Sequence, residues 1–246
     1  MKNRKFKSIL SLCGYFLLVI ALCSSAALIF HNVCYESVYV SGNSMSPTLN
    51  GAEDEQAGSL VDFGIMDTHK SALKNIKRFS IVSAYYPDEI DYDPVTNKLR
   101  PGAKQKIKRV IALPGETFKI EQGELYVLED GKFEHIPYTF KINVDNENKT
   151  NKDLEETKLS NSEYWVLGDN RANSRDSGAI NKAITKDNLV GVLIAIEGKA
   201  KLKVNNYICY NCGSTSKKDG NCSKCGYHLE PEYELKNKQY HWPKYY

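Results

Sequence analysis

Ile107-Lys108-Arg109-Val110-Ile111-Ala112-Leu113-Pro114-Gly115-Glu116 reads as a strand of apolar residues, interrupted by charge, that runs into a Pro-Gly turn. Similar short β-rich runs lie on both sides of it. Upstream are Cys34 to Val40, Ser59 to Asp67 and Arg78 to Pro87; downstream are Glu116 to Ile120, Glu124 to Asp130, Glu163 to Asp169 and Val190 to Ile196. Gly, Pro, Asn and Asp separate them, with Gly123 and Gly131 marking hairpin ends. Helical periodicity is confined to a turn or two between Thr68 and Lys77. The expected fold class is mainly β, an antiparallel catalytic domain over residues 34–198.

Ahead of these strands, residues 8–30 carry no charge. At 1.5 Å per residue such a segment makes a helix of roughly 35 Å, enough to cross a hydrocarbon core of about 30 Å. Lys2, Arg4, Lys5 and Lys7 precede it, within a short segment 1–7. The positive-inside rule then places the N-terminus in the cytoplasm and the rest outside. The apolar run is too long for a cleaved signal sequence and continues through Leu28, Ile29 and Phe30. The expectation is a single-pass anchor in the plasma membrane.

Net charge is +3, from 33 basic and 30 acidic side chains, with no uninterrupted basic face. That excludes a nucleic-acid partner on electrostatic grounds. Residues 141–161 turn to Asn, Lys and Glu and read as an exposed insertion. A further composition break at 199–206 reads as a linker to a cysteine-rich module, 207–228, and a tail, 229–246.

The turn Ser41-Gly42-Asn43-Ser44-Met45-Ser46-Pro47-Thr48-Leu49 puts a hydroxyl beside a glycine, where a substrate backbone can come close. A serine hydroxyl needs a base to become a nucleophile. None of the five histidines (31, 69, 135, 228 and 241) lies in a triad context. A lysine serves if an apolar setting lowers its pKa, and Lys108 sits in such a run. Its neighbours Lys104 and Lys106 read as outward-facing charges. A third polar run, Gly168-Asp169-Asn170-Arg171-Ala172-Asn173-Ser174-Arg175-Asp176-Ser177, follows an apolar strand and reads as a hydrogen-bonded turn.

Together these stretches resemble the three sequence boxes of bacterial type I signal peptidases: S-G-x-S-M-x-P-T-L, K-R-V-x-x-L-P-G-[DE] and G-D-N-R-x-N-S-x-D-S. The resemblance covers residues 5–198 and implies a fold like that of the signal peptidases and SOS-repressor proteases. By that resemblance Ser44 is the nucleophile, with its own N–H in the oxyanion hole, and Lys108 is the general base. It also implies that Ser174 hydrogen-bonds the lysine and that Asp176, Asp169 and Arg171 support the site. Some relatives have serine at the position of Gly42, whose hydroxyl is a second oxyanion donor. Many have arginine where this chain has Gly178, which leaves Arg175 as the candidate to pair with Asp176. Phe79-Ser80 stands where relatives have Gly-Asp and reads as a changed turn.

The implied activity is removal of signal peptides from exported precursors after small residues at −1 and −3, through an acyl-enzyme and without a catalytic cofactor. By position, Val38, Val40, Met45, Leu49 and Ile107 are expected to form the shallow apolar pockets. Implied partners are the signal peptides of preproteins, membrane lipid and the secretion translocon. In the C-terminal module, Cys209, Cys212, Cys222 and Cys225 form two C-x-x-C-G knuckles that resemble a zinc ribbon and suit structural Zn2+. Two disulfides are the competing reading. Two other functions compete: a self-cleaving repressor, which would carry a DNA-binding domain in place of an anchor, and an inactive homologue acting as an assembly factor through its tail. Loss of the lysine would mark the latter, and Lys108 is present.

Overall fold

The computed structural model describes residues 14–26, 33–52, 56–87, 91–142 and 153–246. Residues 14–26 form a helix, α1. Its side chains from Tyr15 to Leu22 are large, apolar and exposed, each at 49–67% where bulky. Among the described residues no helix is long and apolar enough to cross a membrane. The expected anchor extends to residues 8–13 and 27–30, which lie outside the described set, as does segment 1–7.

Among the described residues thirteen strands follow, and each expected run overlaps one of them. They are β1 (Tyr35–Tyr39), β2 (Leu60–Asp67), β3 (Ile81–Ala84), β4 (Lys106–Ala112), β5 (Thr117–Glu121), β6 (Glu124–Glu129), β7 (Lys132–Ile136) and β8 (Leu154–Lys158). The remainder are β9 (Glu163–Leu167), β10 (Ile184–Thr185), β11 (Leu189–Cys209), β12 (Thr215–Ser216) and β13 (Leu229–Tyr245). Two short helices, α2 (Lys70–Lys74) and α3 (Ser177–Ile180), interrupt them. One sheet runs β1-β2-β11-β3-β4-β9-β10, and a second runs β7-β6-β5-β8. Every pairing is antiparallel. Gly123 and Gly131 have φ of +83° and +80° after Gln122 and Asp130, also left-handed, as two-residue hairpins require.

Two expectations of organisation change. Part of the 141–161 insertion, Leu154–Lys158, is strand β8, paired with β5, and residues 143–152 lie outside the described set. The expected linker at 199–206 is the middle of β11, and 229–246 returns along it as β13, from Cys209↔Leu229 to Ala195↔Tyr245. Alternation explains this: Ala200 and Leu202 are buried while Lys201 and Lys203 are exposed. Charge at every second position disguised a strand as a linker. The last residue comes back to the catalytic sheet, where Tyr246 N–H donates to Ile194 O at 3.0 Å.

One ion pair holds the centre. Arg109 on β4 is buried and grips Asp169, just after β9, with both arms: Nε to Oδ1 at 2.8 Å and Nη2 to Oδ2 at 2.6 Å. Its third arm, Nη1, donates to Phe79 O at 2.9 Å, and its guanidinium lies 3.8 Å from the Phe140 ring centre. Phe79 has φ of +69° and stacks edge-on against Phe140 at 5.2 Å. The changed Phe79-Ser80 turn thus keeps a glycine-like backbone and gains an aromatic contact. Asp169→Ala would leave Arg109 buried without its counter-charge. The expected loss is about 3–5 kcal/mol of unfolding free energy, measured by chemical denaturation.

Candidate active site

Ser44 lies in the turn after β1, and the chain following β9 fixes its backbone. Asn170 N–H donates to Ser44 O at 3.0 Å, and Asn170 Nδ2 donates to Asn43 O at 3.1 Å. The two chains approach so closely that a Cβ on Gly168 would sit 2.4 Å from Ser44 O and 2.3 Å from Ser174 Oγ. Glycine is therefore required at 168. Met45 and Leu49, fully buried, anchor the far side of the turn among Val40, Met66, Ile81, Leu193 and Ile196.

Lys108 reaches this turn from β4. Its Nζ lies 2.8 Å from Ser44 Oγ and donates to Ile107 O at 2.9 Å. The residue is 4% exposed, and its pKa falls from 10.5 to about 8. Burial is the main cause, reinforced by the charge of Lys106, whereas Asp176 and Asp169 oppose it. As an ammonium, Lys108 donates to the serine. As a neutral amine it can accept the serine proton, so the shift makes a base available near neutral pH.

The supporting residues are placed differently from expectation. Asp176 accepts from Gly168 N–H at 2.9 Å and caps α3 by accepting from Gly178 and Ala179 N–H at 3.1 and 3.2 Å. Three backbone donors, one of them Gly178 N–H, thus satisfy this buried carboxylate. Ser174 Oγ is buried without a hydrogen-bond partner among the described residues, so the expected bond to Lys108 is not formed. The hydroxyl is tucked against Gly168, while the lysine is engaged by Ser44 and Ile107. Arg171 lies over the Tyr138 ring at 5.3 Å.

The dyad opens into a groove of about 780 Å³. Val38 and Ile107 line it, but Val40, Met45 and Leu49 are core residues at 2%, 1% and 0% exposure. Their apolar character marks packing under Ser44 rather than the lining of the groove. Two strand edges face each other across the groove, Glu36 to Tyr39 on β1 and Lys104 to Lys108 leading into and along β4. β1 ends the sheet, and β9 pairs with β4 only from Arg109 onward. Gly42, with φ of +71°, has nothing within 4 Å of where a Cβ would stand.

Sequence reasoning gave no role to Arg109, Asn170 or Lys106, although the first two lie inside the quoted boxes. Lys106 is not an outward charge: it pairs with fully buried Asp91 at 2.5 Å. Nothing in the local pattern around Asp91 marks it as that partner. The four C-terminal cysteines do converge, as their spacing implies, with all four sulfurs within 4.8 Å of one another and none in a disulfide. Such a cluster could hold a metal ion.

Comparison with known proteins agrees with the three boxes. A family model described as "Signal peptidase, peptidase S26" matches residues 12–196. Signal peptidase I U of Bacillus subtilis (strain 168) is 29% identical over 194 residues, covering 77% of this chain and 87% of its own. Signal peptidase I V of the same organism is 31% identical over 169 residues, 66% of this chain and 85% of its own. A solved signal peptidase I from Enterococcus faecalis V583 aligns with 48% of this chain and 97% of its own, at 24% identity and a TM-score of 0.36.

The lowered lysine pKa has a consequence for stability. The unfolded chain binds more protons than the folded one between pH 8 and 10.5, so stability rises with pH across that window. At pH 7 the burial costs on the order of 3 kcal/mol. Lys108→Met is expected to unfold at higher denaturant at pH 7, by up to about 3 kcal/mol, with the advantage shrinking toward about pH 10. Denaturation curves at the two pH values check this; a variant no more stable at pH 7 would contradict it.

Proposed function

The chain belongs to the signal peptidase family, peptidase S26, and on that premise we propose that it cleaves signal peptides from exported precursors with a Ser44–Lys108 dyad. The observation that carries this reading is the 2.8 Å approach of a buried lysine amine, of lowered pKa, to a serine hydroxyl in an open groove. Ser44 Oγ attacks the scissile carbonyl while neutral Lys108 Nζ takes its proton. The tetrahedral intermediate collapses to an acyl-enzyme as Lys108 returns that proton to the leaving amine. Water, deprotonated by the same amine, then hydrolyses the ester. The oxyanion is received by Ser44 N–H, with solvent over open Gly42 completing the hole.

The paired strand edges support an extended substrate that adds between β1 and β4 by main-chain hydrogen bonds. Val38 and Ile107 form the apolar wall beside the scissile bond and favour small side chains at −1 and −3. The exposed apolar surface of α1 supports a single anchor in the plasma membrane, with the groove on the outer side. There it meets precursors beside the lipid and the translocon, at the high effective concentration that tethering gives. The reaction needs no metal or organic cofactor.

Purified protein should cut a precursor with an Ala-x-Ala site after the second alanine. Ser44→Ala and Lys108→Ala should each lower kcat/KM by at least about a thousandfold. Mass spectrometry of the products measures this, and variants that cut as well as the parent would contradict it. For the parent, kcat/KM should rise with pH along a limb with a midpoint of about 8, because only the neutral amine is a base. A rate flat between pH 6 and 10 would contradict the lysine assignment.

A further inference from the structure

Beyond the sheet, β11 and β13 continue as a two-stranded ribbon whose tip carries the cysteines. A two-stranded ribbon is marginally stable in water, and a tip of about twenty residues has too small a core to hold itself. The buried apolar cluster there consists of Cys209, Cys222 and Leu229 alone, with Tyr207, Cys212 and Cys225 packed against it. The order of this tip therefore rests on what joins its sulfurs.

The two knuckles are built alike. Gly213 N–H donates to Cys209 O at 2.9 Å and Gly226 N–H to Cys222 O at 2.8 Å, with both glycines left-handed at φ of +72° and +79°. The four sulfurs stand 3.3 Å (Cys209–Cys225), 3.4 Å (Cys212–Cys225) and 3.6 Å (Cys212–Cys222) apart. A tetrahedral zinc with sulfur ligands at about 2.3 Å sets its sulfurs about 3.8 Å apart, close to this arrangement.

The tip also touches the groove. Tyr210 and Asn211, the residues between the first two thiols, hold the loop from Asp91 to Gln105. Gly102 N–H donates to Tyr210 O at 3.2 Å, and Arg100 Nη1 donates to Asn211 Oδ1 at 3.1 Å. The contact is tight, since a Cβ on Gly102 would lie 2.4 Å from Tyr210 Cα. Tyr210 Oη donates to Asp91 Oδ1 at 3.2 Å, the carboxylate that pairs with Lys106 two residues before the base. Ile208, Pro231, Glu232 and Tyr233 of the ribbon, with Pro101 and Gly102 of the loop, then line the same groove as Ser44 and Lys108.

We propose that Cys209, Cys212, Cys222 and Cys225 bind one zinc ion, and that the metal-closed tip is a wall of the peptide-binding groove. The zinc takes no part in bond breaking. It fixes Tyr210 and Asn211, these fix the 91–105 loop, and ribbon and loop together position the part of an extended peptide that lies away from the scissile bond. Removing the metal should weaken peptide binding and leave the dyad's chemistry largely unchanged. The peptide is the substrate class of the proposed function, so this inference rests on that reading.

The test uses the full chain in detergent. Elemental analysis should find one zinc per chain, and non-reducing peptide mapping should find four free thiols. Binding of an uncut Ala-x-Ala precursor peptide to Ser44→Ala, read by fluorescence anisotropy, should weaken about tenfold on zinc chelation and recover on adding zinc, a loss of the size of one or two ordered hydrogen bonds. In the active parent, chelation should raise KM about as much, with kcat within about twofold. Arg100→Ala with Asn211→Ala, which spares the thiols, should weaken peptide binding with zinc still bound. Two disulfides without zinc, or peptide affinity indifferent both to chelation and to the double variant, would overturn the proposal. A parent that binds the peptide zinc-dependently yet never cuts it would overturn the peptidase reading alone.

Discussion

Everything at the centre of this protein depends on keeping an amine dry beside a hydroxyl. A lysine on a solvated strand stays protonated well above neutral pH and cannot act as a base. Lys108 differs because its side chain is buried beside Ser44, although its strand pairs there with β3 alone and β9 joins β4 only from Arg109 onward. Burial lowers its pKa while two nearby carboxylates, Asp169 and Asp176, pull the other way. Both carboxylates are already engaged, Asp169 by Arg109 and Asp176 by three backbone N–H groups. Burial outweighs them, being the largest influence on the amine, with the charge of Lys106 acting in the same direction.

A small set of contacts likewise fixes the turn of Ser44. The chain after β9 supplies Asn170 for the backbone of Asn43 and Ser44, Asp169 for Arg109 and Asp176 for α3. One polar turn thus joins the strand of Lys108 to the loop of Ser44. Gly168 lets the two chains meet, and its missing side chain is as much a part of the site as any side chain present. The groove then opens where the sheet stops pairing, between edge strand β1 and the start of β4, which β9 leaves uncovered before Arg109.

Strand positions and the pairing of Ser44 with Lys108 were legible because alternation and turn residues are local signals, and the boxes gather residues that meet in space. The misreadings have a common physical origin in long-range contact. Val40, Met45 and Leu49 are apolar beside Ser44, and sequence does not distinguish the wall of a pocket from the packing beneath it. Lys106 looks solvated until Asp91, fifteen residues away, is folded against it. The 199–206 segment looked like a linker because alternating lysines hide the buried Ala200 and Leu202. That strand carries the ribbon back over the groove, an arrangement that no motif announces.

Catalysis of the proposed kind requires that burial lower the Lys108 pKa far enough to leave a usable fraction of neutral amine. Titration of its Nζ by nuclear magnetic resonance in Ser44→Ala, with the lysines isotopically labelled and Lys108→Met used for assignment, measures this directly. A midpoint near 8, the value set by burial, is expected. A midpoint at the ordinary lysine value of 10.5 would contradict it, since the amine would then be protonated throughout the near-neutral range.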